Sequence, residues 1–221
     1  MRTATEVAVL IELGVLAAAG LVVAPSDKPI QQALREVATE AQARYSAGEF
    51  AAIPAVKAVR QVFSALGTDP TRTRPSSEAL LRRVLQGKGL PLVNNVVDVV
   101  NRCSLAALLP VGLYDRRAIQ GEIRLELGAP GAAYRGLGKE DVGLEGRLAL
   151  HDDAGPFGAP TSDSFRTRVH AGTTDILCVV FAPRLPSGPN PALASALAAI
   201  RARLIKDCAA PADRIGTSPA V

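Results

Sequence analysis

The first half of the chain repeats its apolar positions every three to four residues, and the second half repeats them every two. Leu34, Val37 and Ala41 fall on one side of the segment 31–47, with Arg35, Glu36 and Glu40 on the other, which predicts an amphipathic helix. A second helix is predicted after Pro54, where Val56, Val59, Val62, Phe63 and Leu66 share an arc and Gly67 stops the run. Leu80, Leu81, Val84 and Leu85 predict a third, with Pro75 before it, Ser76 as its cap, Glu78 in its first turn and Gly87 at its end. In the fourth, residues 94–104, Val96, Val99, Val100 and Cys103 form the apolar arc. From about Gly121 the period is two, in residues 123–127 and again in 147–151. DILCVVF, residues 175–181, reads as a buried strand preceded by residues 166–169, and Pro189 and Pro191 introduce an alanine-rich helix that runs to about Lys206. Helices packed with a mixed or antiparallel sheet around one core make an α+β fold. Residues 1–50 are expected to add an amino-terminal strand and helix to a domain spanning 51–208, with 209–221 as a tail.

The uncharged run 13–24, LGVLAAAGLVVA, admits two readings, a short signal peptide or a buried first strand. Glu6 and Glu12 lie where a signal peptide carries positive charge or none, and twelve residues are too few to span a bilayer, so a strand and a cytoplasmic location are expected. Cys103, Cys178 and Cys208 are odd in number and form no CxxC pair, which argues against a disulfide scaffold or a structural zinc site. His151 and His170 are the only histidines. His151-Asp152-Asp153 is read as a loop after a strand rather than a metal site, and no phosphate loop is visible. No cofactor, no metal, no membrane contact and no obligate protein partner are expected.

The formal net charge is only +4, but it is localised: Arg72, Arg74, Arg82, Arg83 and Lys88 face a single acid, Glu78, within seventeen residues. Such a block is either a solvated helix face or a surface for an anionic partner. Beside it, Asn94, Asp98 and Asn101 line one face of the fourth helix. Short polar side chains in a row differ from the Lys and Glu of an ordinary solvated face; they suit a surface that orients a substrate or caps neighbouring backbone.

Residues 74–115 resemble the editing domain of the phenylalanyl-tRNA synthetase beta subunit, the B3/B4 tRNA-binding domain. That domain carries N-x-V-D-x-T-N followed by P-x-H-A-F-D. The counterparts here are Asn95 to Asn101 and Pro110-Val111-Gly112-Leu113-Tyr114-Asp115. Ser162 to Thr167 and Gly172 to Ile176 resemble the D-S-x-R-T and threonine-strand signatures of free-standing relatives, so the resemblance runs from about Pro54 to Phe181. It implies a free-standing domain that binds tRNA or aminoacyl-tRNA and hydrolyses a mischarged amino-acid ester with a positioned water. Asn101 and Asp98 would then be catalytic. Asn94, Asn95, Gly112, Tyr114, Thr173 and Thr174 would line the substrate pocket, and Arg72, Arg74, Arg82, Arg83 and Lys88 would meet phosphates. The sequence departs from the pattern at Val100, where the family has Thr, at Gly112, where it has His, and in lacking the pocket Glu. A non-catalytic tRNA or aminoacyl-group binder and a small-molecule hydrolase or binder on the same fold are therefore the alternatives.

Overall fold

The structure, a computed structural model, describes residues 1–138, 140–186 and 188–220. Its centre is a four-stranded antiparallel sheet in the order β10-β2-β9-β3, formed by β2 (Ile11–Ala19), β3 (Val111–Asp115), β9 (Asp175–Pro183) and β10 (Ile215–Ala220). A second sheet, in the order β1-β4-β7-β8, is built from β1 (Arg2–Thr3), β4 (Arg124–Leu127), β7 (Leu148–Asp152) and β8 (Gly155–Gly158), with β1 and β4 parallel. A short ribbon pairs β5 (Ala133–Arg135) with β6 (Asp141–Gly143). The helices are α1 (Thr5–Ala8), α2 (Lys28–Arg44), α3 (Pro54–Ala65), α4 (Ser76–Leu85), α5 (Asn95–Ala107) and α6 (Pro191–Asp207). The fold is α+β, as the periodicity implies.

Both faces of the central sheet are covered, and the alternation along its strands decides which side chain goes where. Leu16, Ala18, Ile176, Cys178, Val180 and Leu113 face α5, α6 and the first turns of α2. Their neighbours Leu13, Leu177, Val179, Phe181 and Tyr114 face the second sheet, packing on Leu125, Leu148, Leu150 and Phe157. β9 is apolar on both sides because both sides are buried.

The run 13–24 supplies β2, held between β9 and β10 with Leu16 opposite Cys178, so the amino-terminal fifty residues contribute a strand inside the sheet. The expected tail is corrected: residues 212–214 form a 3₁₀ turn and 215–220 pair with β2, Ile215 opposite Ala18, while Val221 lies outside the described residues. Pairing satisfies the edge of β2 that a loose tail would leave open. Residues 166–169 form a turn and loop, not a strand. His151 lies within β7, not in a loop, and is buried beside the carbonyl of Ala149. The cap of α4 is Pro75 rather than Ser76, whose hydroxyl is buried without a hydrogen bond. The three cysteines are buried and free.

Candidate functional site

The polar stripe of α5 begins as a cap. Asn94 Oδ1 accepts from Val97 N at 2.9 Å and closes the first turn. Asn95 turns away and binds the segment that leaves β2: it accepts from Ala24 N at 2.9 Å and donates to Val22 O at 2.8 Å. Asp98 is fully buried and accepts from Ser26 Oγ at 2.6 Å and Val93 N at 2.9 Å. Burial pushes its carboxyl above the usual range, and these bonds pull it back. Asn95 and Asp98 thus fasten segment 22–26 to the start of α5, which Asn94 caps. Of the predicted stripe only Asn101, half-buried, makes no hydrogen bond among the described residues.

The second group gathers at the outer edge of β3 and the start of β9, where Thr174 O accepts from Leu21 N. The loop 160–174 covers that edge: Asp115 N donates to Thr167 O at 2.7 Å and Leu113 N reaches Asp163 Oδ2 at 3.4 Å. Asp115 Oδ2 accepts from Thr173 Oγ1 at 2.7 Å and lies 3.4 Å from His170 Nε2. His170 Nδ1 accepts from Gly172 N at 3.1 Å, which assigns the ring proton to Nε2, facing the carboxylate. The imidazole remains half-exposed. Beside it Arg117 pairs with Asp175, whose carboxyl is held below its usual range by that guanidinium. Thr174 Oγ1 is buried and meets no hydrogen-bond geometry.

On the other face of β3 the Tyr114 ring is fully buried, edge-on to Phe157 with centroids 4.9 Å apart. It fills the space over Gly112 and Gly158, where a Cβ at either position would collide with the ring and its hydroxyl. Glycine stands at 112, where the resembling family carries histidine, because the tyrosine two residues on occupies that volume. Tyr114 Oη and Asp163 Oδ1 are both inaccessible to solvent and neighbour one another without meeting hydrogen-bond geometry. Part of Asp163 is exposed, but its unpaired oxygen is not, and burial raises its carboxyl to about 7.

The predicted site residues therefore occupy separate places. Gly112, Tyr114, Thr173 and Thr174 lie at β3 and the start of β9, whereas Asn94, Asn95 and Asp98 lie at the start of α5. None of Asn94, Asp98, Asn101 and Thr173 lines the cavities of about 670, 500 or 300 Å³ among the described residues. The basic block is also less free than its composition implies. Glu78, buried within α4, takes two hydrogen bonds from Arg60 at 2.7 and 2.9 Å and lies 3.9 Å from Arg74, and Arg82 stacks on Phe50. Arg72, Arg83 and Lys88 remain exposed, with Arg72 lining the 670 Å³ cleft beside Arg147.

A second cationic surface has no counterpart in the linear charge pattern. Arg135 and Arg168 both stack on Phe165, 4.1 and 3.5 Å from the ring centroid, and Arg116 and Arg117 stand at the end of β3. Arg135 lies thirty residues before Phe165, so only folding joins them; the signal readable beforehand was the Phe-Arg-Thr-Arg run 165–168. No group of three or more metal-ligating side chains occurs among the described residues, and no helix there is long and apolar enough to cross a membrane.

Comparison with known proteins places this geometry. One protein-family model, the B3/4 domain, matches residues 58–184. Among solved structures, an N-terminal fragment of the phenylalanyl-tRNA synthetase beta-subunit from Pyrococcus horikoshii is similar at 13% identity and a TM-score of 0.47. The match covers 99% of this chain and 53% of that one, so the chain spans about half the length of that fragment. No curated protein matches the chain.

Proposed function

The chain belongs to the B3/4 domain family, and from that premise we propose that it binds tRNA or the aminoacyl end of a charged tRNA through the loop covering β3. The observation that carries this reading is the Arg135–Phe165–Arg168 column, which leads through Val169 to the Asp115–His170–Thr173 cluster. Unpaired bases stack on aromatic rings and guanidinium planes, and arginines add phosphate contacts whose strength falls with salt. Arg72, Arg83 and Lys88 supply a second, non-stacking phosphate surface. The commitment of Asn94, Asn95 and Asp98 to the fold, and of the Gly112 space to Tyr114, supports binding over the inherited hydrolytic arrangement.

The test is binding of bulk tRNA and of a single-stranded CCA-ended oligonucleotide at about 50 and 200 mM salt. Phe165→Ala with Arg168→Ala should weaken the oligonucleotide at least about tenfold, by loss of stacking. Arg83→Ala with Lys88→Ala should weaken only tRNA and flatten its salt slope. Absence of tRNA binding at the lower salt would remove the reading.

The Asp115–His170 contact favours a second reading, a deacylase acting on mischarged tRNA in the cytoplasm. His170 Nδ1, released from Gly172 N, would take the proton of an attacking water while Nε2–H stays on the Asp115 carboxylate. The new bond joins water oxygen to the ester carbon, the bond to the ribose oxygen breaks, and that oxygen receives the proton. Asn101, whose amide is uncommitted, would orient the aminoacyl group. Release of amino acid from a panel of mischarged tRNAs, abolished by His170→Ala and Asn101→Ala, tests it; binding without release leaves the first reading alone.

A further inference from the structure

Between α5 and α6 lies an open cavity of about 500 Å³. Its floor is made of small side chains, among them Cys103 and Ala106 of α5 and Ala196 and Ala199 of α6. Two guanidiniums line it, one from each helix: Arg102 and Arg203. Both line the same cavity as Cys103.

Arg102 is half-buried and has neither an ion pair nor a hydrogen bond among the described residues. Arg203 reaches only Asp207, one turn along its own helix, at 3.8 Å. A guanidinium drawn partly out of water without a partner is unfavourable, and a second one nearby adds repulsion. One carboxylate offsets both, because its two oxygens match the planar fork of arginine. Apart from Ser195, whose hydroxyl donates to Pro191 O at 3.1 Å, the floor is alanine and cysteine and suits an apolar remainder of such a ligand, and the volume lies within the usual range for small-molecule sites.

We propose that the α5–α6 cavity binds a small amphipathic carboxylate, its head between Arg102 and Arg203 and its hydrocarbon tail along the floor. Charge complementarity selects the head and the small-residue floor selects the tail. The site is independent of the RNA-facing surface.

The test uses the full chain with sodium octanoate as the probe, and octanol, octylamine and acetate as controls. Nuclear magnetic resonance titration reads the methyl groups of Ala106, Ala196 and Ala199, and the rate of Cys103 alkylation by a maleimide reads occupancy separately. Octanoate should shift those methyls and protect Cys103, binding at least about tenfold more tightly than octanol or acetate. Arg102→Gln or Arg203→Gln should each remove about tenfold of the affinity, the scale of one charge-assisted contact, with Arg102→Lys between wild type and Gln. Equal binding of octanoate and octanol would overturn the anion site, and equal binding of octanoate and acetate would overturn the tail site. Methyl shifts confined to other regions would overturn both.

Discussion

The start of α5 and the edge of β3 both bury polar side chains next to the central sheet, and they treat those side chains in opposite ways. At α5 the carboxylate of Asp98 and the amide of Asn95 find backbone or hydroxyl partners at 2.6–2.9 Å. At β3 the Tyr114 hydroxyl and Asp163 Oδ1 are buried and unpaired, and His170 stays half-exposed beside Asp115. A satisfied buried network holds a fold in one arrangement, whereas a partly satisfied one stores unfavourable energy. Asn94, Asn95 and Asp98 spend their polar atoms on the fold, and the groups at β3 are the ones left incompletely satisfied.

The sharpest way to break the comparison is at Gly112. Gly112→Ala should cost about 3 kcal/mol in urea unfolding, because the added methyl meets a ring fixed by Phe157. In a Tyr114→Leu background the same substitution should cost far less, a coupling that a double-mutant cycle measures. Next comes Asp98→Ala, expected to lose about 2 kcal/mol by leaving Ser26 Oγ and Val93 N without their acceptor. An unchanged unfolding midpoint would return Asp98 to the functional side of the comparison.

Asp163→Asn should do the reverse and stabilise the protein at pH 8. Burial raises the folded carboxyl to about 7, well above the ordinary aspartate range, so the folded state keeps a proton that the unfolded chain releases first. Wild-type stability therefore falls as pH rises from about 4 to about 7 and then levels, with a slope of at most ~1.4 kcal/mol per pH unit. The advantage of the amide should be absent near pH 4 and reach about 2 kcal/mol at pH 8, once solvent screening at the partly exposed Oδ2 side is allowed for. Thermal melts across that range read it. The smallest effect is Tyr114→Phe: the hydroxyl neighbours Asp163 without meeting hydrogen-bond geometry, and the melting temperature should move by no more than the equivalent of about 0.5 kcal/mol.

Much of the fold was legible in one dimension because burial imposes a period. β9 appeared as a continuous apolar run, α3 and α5 as arcs, and α6 behind its prolines, because each buries a face defined by its own residues. β10 was not legible: Ile215 to Ala220 contains glycine, serine and proline and has little apolar pattern, and its strand form comes from pairing with β2. The candidate site was legible only in part. Thr173 and Asp115 were singled out separately, yet their hydrogen bond joins residues fifty-eight apart. Asn94 and Asp98 were singled out together by spacing, which places them on one helix face without telling what packs against it.

Sequence alone determined the main helices, the apolar strands with their buried faces, and the family, since helix and strand periods and motif spacing are local properties of the chain. It also located the charge, but not whether that charge was free. Only the tertiary structure decided that Glu78 draws on Arg60 and Arg74, that Tyr114 takes the volume over Gly112, and that Arg135 meets Phe165. The physical reason is that a polar or charged side chain has no fixed role until its partner is known, and here the partners come from distant segments.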